Sequence, residues 1–131
     1  MNQNQSGLSL GRIRQIAIVV KDLDRAKNFY RDVLGLKFLF EVPNLAFFDA
    51  DGIRLMLGKG ETPEIERSSS VLYYLVPDIN GAHKILEEKG VEVLAPPNLV
   101  APMPDHDLWL SDYKDSEGNI FALMSEVPRD L

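Results

Sequence analysis

The chain contains the same pattern twice. Residues 16–23 (IAIVVKDL) match residues 72–79 (LYYLVPDI) at an offset of 56, and each is an apolar, strand-like run followed by an aspartate that opens a helical pattern. Residues 51–57 and 117–123 form a second pair at an offset of 66, so the later copy carries an insertion of ten residues. Two copies of one supersecondary unit predict two packed modules with a ligand-binding cleft between them.

Each copy has the pattern of one strand, one helix and three further strands. Asp22 and Asp78 are suited to start the helices, and Gly35 and Gly90 to end them. Strands are predicted at residues 13–20, 36–42, 45–50 and 53–57, and again at 71–76, 91–95, 108–113 and 119–125. The predicted fold class is α+β, with two tandem β-α-β-β-β modules forming a curved mixed sheet, or cup, and the helices outside.

One segment breaks the repeat. Residues 96–106 contain four prolines. Because proline cannot donate to a strand ladder, this segment is predicted to form a stiff rim loop between two strands.

The length of 131 residues fits a single domain. Module one is predicted at about 12–59, a polar linker at about 60–70 and module two at about 71–126. Residues 1–11 are polar and predict a frayed tail without a signal peptide. No run of about 18 apolar residues is present, so we expect no membrane partner. The chain has no cysteine, which excludes thiolate metal sites and fits a cytoplasmic protein.

Charge is distributed unevenly. The net charge of −6 argues against a nucleic-acid partner, whose phosphates need a basic face. Residues 1–60 hold nine basic and six acidic residues, whereas residues 61–131 hold five basic and fourteen acidic ones. Five of these acids fall within residues 105–117. They favour a cationic ligand or partner nearby; the alternative is a solvated acidic loop and strand edge.

Two motifs resemble the vicinal-oxygen-chelate superfamily, which includes glyoxalase I, extradiol dioxygenases, and fosfomycin- and bleomycin-resistance proteins. The first is residues 20–26 (VKDLDRA), followed by Phe29-Tyr30 and Leu34-Gly35. The second is residues 115–119 (DSEGN), similar to the family's Asp-Pro-x-Gly-Asn turn with serine in place of proline. The resemblance extends over residues 12–126 and implies the paired-module fold, on which many different reactions occur.

The resemblance also implies where a metal would bind. Metal-dependent members hold a divalent ion with four strand residues, usually His, Gln or Glu, and these positions correspond here to Gln15, Met56, Val71 and Ala122. Only Gln15 offers an oxygen, and the Met56 thioether is a soft donor. We therefore expect no metal site and no cofactor, which disfavours metal-borne glyoxalase and dioxygenase chemistry.

Strand alternation predicts which side chains line the cup. The predicted ligand-binding set is Gln15, Arg54, Met56, Val71, Tyr73, Trp109, Ala122 and Met124. Tyr73 and Trp109 would form aromatic walls, although burial in the core or in a dimer is the alternative for each.

Two residues are candidate catalytic groups. Arg54 could grip a carboxylate or phosphate, or instead pair with an acid at the cup's mouth. His106, between Asp105 and Asp107, could act as acid, base or ligand anchor, could tie the proline loop down, or could recruit a metal with the two aspartates. The other histidine, His83, is expected to face solvent.

These observations predict a metal-independent binding protein for a small organic molecule, cationic or aromatic, with a sequestering or resistance-like role. The first alternative is a glyoxalase-type lyase or isomerase, or an extradiol-dioxygenase-like enzyme, using Arg54 and His106 or a displaced metal. The second is an interaction module whose cup is filled by Met56, Met124, Tyr73 and Trp109. A homodimer is expected because relatives commonly pair and edge strands need covering. The ligand's identity is left open.

Overall fold

A computed structural model of the chain describes residues 8–9, 11–60 and 70–129. The predicted linker therefore lies mostly outside the described residues, as does most of the predicted tail. Module one contains β1 (Gln15–Val19), α1 (Leu23–Asn28) continued by a π-helical turn (Phe29–Val33), β2 (Lys37–Val42), β3 (Leu45–Ala50) and β4 (Ile53–Gly58). Module two contains β5 (Leu72–Leu75), α2 (Ile79–Glu88), β6 (Glu92–Pro102), β7 (His106–Lys114) and β8 (Ile120–Pro128).

The strands form two four-stranded mixed sheets with the orders β1-β4-β3-β2 and β5-β8-β7-β6. In each sheet the first pair is parallel and the other two pairs are antiparallel. The pairing repeats with the sequence: Ala17 lies opposite Met56, and Tyr73 lies opposite Ala122, at the offsets of 56 and 66. The α+β fold of two β-α-β-β-β modules is thereby confirmed.

Both helices begin and end as their sequences predict. The Oδ1 atom of Asp22 accepts a hydrogen bond from the backbone amide of Arg25 at 3.1 Å, and Asp78 accepts one from Gly81 at the same distance. Gly90 follows α2 with a φ of 79°, a left-handed conformation that costs other residues energy. Neither helix in the described part of the chain is long and apolar enough to span a membrane.

Each module has a hydrophobic cluster beneath its helix, and Phe29, Leu34 and Tyr74 pack against both clusters. Tyr30 packs with Phe48, Leu55 and Leu57 of the first sheet, and Tyr74 of β5 packs against the same cluster. In the second module Ile79 and Leu86 pack against Tyr113, Phe121 and Leu123, and Phe29 from module one joins them. Because each module contributes to the other's core, the two sheets are held in a fixed relation, with α1 and α2 on one side of the sheets.

A buried carboxylate fastens the modules together. The Glu117 side chain, from the turn before β8, is fully buried and accepts hydrogen bonds from the amides of Lys21 and Asp22 at 2.9 and 2.8 Å. It also accepts one from Arg25 Nε at 2.8 Å. Burial alone would raise the pKa of Glu117, but the hydrogen bonds from Arg25, Asp22, Ser116 and Lys21 outweigh it and lower the pKa to about 2. The charged carboxylate thus holds the start of α1.

The predicted rim loop is wrong. β6 extends from Glu92 to Pro102 and pairs with β7, so that only three residues remain in the turn between these strands. The prolines are tolerated because β6 is an edge strand, and because its register shifts between Ala95 and Asn98, the residues that flank Pro96 and Pro97. The ten-residue insertion therefore lengthens a hairpin instead of forming a loop.

Candidate functional site

The module-one face is the face of the first sheet opposite α1. Residues paired across neighbouring strands point to the same side. The pairing therefore places one polar row and two largely apolar rows on this face. The rows are Gln15-Arg54-Asp49-Lys37, Ala17-Met56-Phe47-Phe40 and Val19-Gly58-Leu45-Val42.

Arg54 is held over this face by two contacts. Its Nε donates to Gln15 Oε1 at 2.6 Å, and its guanidinium carbon lies 5.5 Å from the centre of the Phe47 ring. Asp49 lies directly opposite Arg54 on β3, but its Oδ1 accepts from the amide of Gly52. The alternative of an ion pair with a neighbouring acid is therefore not realised within the described residues.

An aromatic pair extends the apolar row. The rings of Phe40 and Phe47 are stacked with centres 4.5 Å apart and planes 21° apart. Phe40 is 45% exposed, whereas Phe47 is 9% exposed. On the other side of this row the Nε2 of Gln15 approaches the Met56 sulfur at 3.8 Å. Neither phenylalanine was among the predicted cup residues, although alternation along β3 in register with β4 was the signal for Phe47.

The module-two face is the corresponding face of the second sheet. Pairing places Tyr73, Ala122 and Asp112 in one row and Leu75, Met124 and Leu110 in the next. Tyr73 is 52% exposed and Leu75 is 66% exposed. Val71, just before β5, is also exposed. The predicted positions Tyr73, Ala122 and Met124 therefore share one face, to which the structure adds Leu110 and Asp112.

Trp109 does not belong to this face, and its predicted place in the cup is wrong. It pairs with Ser125, whereas its neighbour Leu110 pairs with Met124, so its side chain points to the opposite side of the sheet from theirs. It packs against the hydrophobic core beneath α2. The alternative of core burial applies instead. Residues 108–113 alternate between two sides that both carry large apolar groups, so the sequence did not determine which side faces the helix.

His106 lies at the far end of the module-two face, in line with Leu108 and Leu110. Its Nδ1 is 2.6 Å from Asp105 Oδ1, and its Nε2 is 3.9 Å from Glu126 Oε2. The hydrogen bond to His106 lowers the pKa of Asp105. Arg54 and His106 are on different sheets and share no hydrogen bond or ion pair in the described part of the chain.

The hairpin that carries His106 is tied to the end of β8. Arg129 pairs with the Asp107 carboxylate and donates to the carbonyls of His106 and Met103. Asp107 is thus turned towards Arg129 while Asp105 bonds to the histidine. Residues 8–9, 11–60 and 70–129 contain no group of three or more His, Cys, Asp or Glu side chains placed to hold a metal ion.

The metal positions implied by the family do not suit a divalent ion. The Gln15 oxygen already accepts from Arg54, and the adjacent Met56 sulfur is a soft donor. Val71 and Ala122, their counterparts in module two, offer no lone pair. A catalytic zinc ion keeps three protein ligands, and hard cations prefer several oxygen ligands. This set of donors therefore fits neither kind of ion.

His83 is not the solvent-facing histidine that its sequence position suggested. Its side chain is 14% exposed, and its Nδ1 lies 2.8 Å from the Tyr113 hydroxyl, which donates to Ser111 Oγ at 2.8 Å. Burial raises the pKa of Tyr113. A neighbouring carboxylate, that of Glu87, lies 3.4 Å from His83 Nε2. This chain of polar groups joins α2 to the buried side of β7.

A small cavity of about 220 Å³ lies where the modules meet, on the helix side of the sheets. Tyr30, Tyr74 and Asn119 are among its lining residues. The Tyr30 hydroxyl donates to Asp115 Oδ2 at 2.6 Å, whereas the buried Tyr74 hydroxyl has no hydrogen-bond partner among the described residues. Burial raises the pKa of Tyr74 to about 12. Both phenols therefore stay neutral at ordinary pH.

Comparison with solved structures shows the same architecture. A member of the glyoxalase/bleomycin resistance protein/dioxygenase superfamily from Sphaerobacter thermophilus is 27% identical, with a TM-score of 0.73 over 91% of this chain and 100% of that one. TnmS3, an antibiotic-binding protein from Streptomyces sp. CB03234, is 21% identical, with a TM-score of 0.74 over 91% and 98%. Lactoylglutathione lyase from Agrobacterium tumefaciens is also 21% identical, with a TM-score of 0.72 over 88% and 94%.

The sequence also matches a family model that extends over both modules. The family model for the Glyoxalase/Bleomycin resistance protein/Dioxygenase superfamily matches residues 12–123, nearly the whole of both modules. The chain therefore belongs to this superfamily.

Proposed function

We propose that the chain is a metal-independent binding protein that holds a small organic molecule against the sheet faces opposite α1 and α2, in the manner of a sequestering or resistance protein. The observation that carries this proposal is the exposed apolar surface of those faces. Phe40 and Val42 on the module-one face, and Tyr73 and Leu75 on the module-two face, are 43 to 66% exposed. Contiguous apolar surface of this kind commonly marks a binding site.

The polar groups of the module-one face are confined to one row beside two largely apolar rows, a combination that suits a ligand site in which polar anchors fix the orientation. Arg54 supplies one anchor, and Asp112 supplies another on the opposite module. An antibiotic-binding protein shares this fold, which supports the same general role here. Metal independence rests on the chemistry of Gln15, Met56, Val71 and Ala122, which do not form a divalent-ion site.

The two alternatives receive less support. An enzyme would need polar groups converging on one reacting centre, but the candidate catalytic residues Arg54 and His106 share no hydrogen bond or ion pair among the described residues. An interaction module would have its cup filled by Met56, Met124, Tyr73 and Trp109. Trp109 lies on the other side of its sheet and Tyr73 is half exposed, so that packing does not form.

The proposal includes a homodimer in the cytoplasm. A second copy would cover part of the apolar faces and of the edge strands β2 and β6. Native mass spectrometry of untagged protein, purified without chelator, measures the oligomeric state and the mass of any bound metal or organic ligand together. A metal-free dimer that carries an additional organic mass is the expected result. One metal per protomer would refute the metal-independent role.

Ligand binding is tested separately by a thermal-shift screen of small organic molecules. Leu75→Asn should abolish or weaken the hits, because this exposed side chain belongs to the module-two face. Ile85→Asn is the matched control, since Ile85 is also half exposed but lies on α2, away from both faces. Equal loss of the hits in both variants would contradict the proposed site.

A further inference from the structure

We infer, within the binding role proposed above, that the module-one face selects a ligand in which a carboxylate is joined to an aromatic or other flat conjugated group. The sequence suggested a cationic ligand from the acidic balance of the second half. The structure places the acids Asp112 and Glu126 on the module-two face, and a cation, Arg54, on the inner strand β4 of the module-one face. The two faces therefore offer opposite charges.

Arg54 has donors left to offer. A guanidinium carries five N–H groups, and only the Nε–H of Arg54 is used, in the bond to Gln15. Its two terminal nitrogens donate to no acceptor among the described residues. They lie side by side in the planar fork that fits a carboxylate with two parallel hydrogen bonds. The free end of this side chain is therefore suited to a planar anion.

The guanidinium is also held in place before a ligand arrives. Gln15 fixes its Nε edge, and the Phe47 ring lies beneath it at 5.5 Å. Both contacts limit the rotamers of a side chain that would otherwise lose much entropy on binding. Lys37, at the other end of the same row, has no such contacts among the described residues. Arg54 is thus the ordered cation of this face.

The neighbouring row determines the rest of the ligand. Met56, Phe47 and Phe40 form the next row, about 7 Å further along the strands than the row that contains Arg54. A carboxylate bound at Arg54 would place an attached ring over the exposed Phe40 ring and the Met56 thioether. Aromatic rings and thioethers both favour contact with a flat π system. A flexible, fully hydrated acid would make few favourable contacts with this row.

Three naphthalene probes of similar size but different charge separate the effect of charge from that of shape. Naphthalene-2-carboxylate, naphthalene-2-carboxamide and 2-naphthylmethylammonium are titrated by calorimetry against the intact protein at low salt. The acid should bind at least about tenfold more tightly than the amide, since hydrogen bonds between charged partners exceed neutral ones by this order. The ammonium should bind more weakly than either.

Variants assign the preference to Arg54. Arg54→Gln should abolish the advantage of the acid over the amide, and Arg54→Lys should retain only part of it, because lysine keeps the charge but not the fork. Lys37→Gln is the matched control, a cation removed from the same row, and should leave the advantage intact. Light scattering of Arg54→Gln should show an unchanged mass.

Four results would overturn the inference. An acid preference that survives Arg54→Gln is one, and a fall in mass of that variant, which would assign Arg54 to a subunit contact, is another. Tight binding of the amide or the ammonium without the acid would also overturn it, while leaving the proposed binding function standing. Failure of all three probes to bind at millimolar concentration would overturn it as well. The proposed binding function would then be tested by the thermal-shift screen alone.

Discussion

The buried carboxylate of Glu117 makes a prediction that can be worked through from its contacts. The change is Glu117→Gln, which keeps the size of the side chain and removes its charge. At least four donors point at the carboxylate: the amides of Lys21 and Asp22, and two N–H groups of Arg25. A glutamine side chain offers only one oxygen to these donors, and its NH₂ group faces the remaining donors, with which it cannot form a hydrogen bond as an acceptor. Hydrogen bonds to the start of α1 are therefore lost.

The magnitude follows from the pKa. Lowering the pKa of Glu117 from 4.5 to about 2 corresponds to about 3 kcal/mol of stability in the charged form. Arg25 is half exposed, and its contribution is screened by solvent, so we expect a net loss of about 2 kcal/mol at pH 7. For a domain of this size, that loss lowers the melting temperature by roughly 8 °C.

The pH dependence has a defined sign. A folded-state pKa below the unfolded value stabilises the protein above pH 4.5, and the contribution is lost as the pH falls from 4.5 towards 2. The difference in unfolding free energy between wild type and Glu117→Gln should therefore shrink across this range. Urea unfolding followed by circular dichroism at pH 7, 4 and 2.5 measures it.

The matched control is Glu88→Gln, at the exposed end of α2, where no ion pair is formed among the described residues; its cost should stay within about 0.5 kcal/mol. The reasoning would be refuted if Glu117→Gln cost no more than this control at pH 7. It would also be refuted if the cost at pH 2.5 equalled the cost at pH 7, because the effect would then be independent of charge.

Substitutions at three further residues test other contacts by urea unfolding at pH 7. Tyr74→Phe should leave stability unchanged or raise it by about 1 kcal/mol, because the buried hydroxyl it removes has no partner among the described residues; a clear loss would reveal a bond that the structure lacks. Tyr113→Phe should cost about 1 to 3 kcal/mol, because it strands His83 and Ser111, and a neutral result would contradict the polar chain. Asp78→Ala should cost about 1 kcal/mol through the lost cap of α2, whereas Asp78→Asn should restore most of it.

The sequence was most informative where one local signal pointed to one structure. The two offsets of the repeat reappear as identical strand pairings, and Asp22, Asp78 and Gly90 cap the helices as their types predict. Alternation along β1, β4, β5 and β8 also predicted the side of the sheet, opposite the helices α1 and α2, on which the pairing places Gln15, Arg54, Tyr73, Ala122 and Met124. These features depend on neighbours that are close in the chain or fixed by the repeat.

The tertiary structure determined the features that depend on strand order. It also determined those in which groups distant in the sequence compete for the same hydrogen-bond or packing partner. The prolines of β6 are compatible with a strand because β6 lies at an edge and its bulge takes up Pro96 and Pro97, a position that no local pattern encodes. Trp109 faces the helix because its pairing with β8 fixes the register, and both sides of β7 are apolar enough to accept it. Among the described residues Arg54 has no acidic partner, and the Asp49 carboxylate accepts from a turn amide instead, an outcome that only the folded chain reveals.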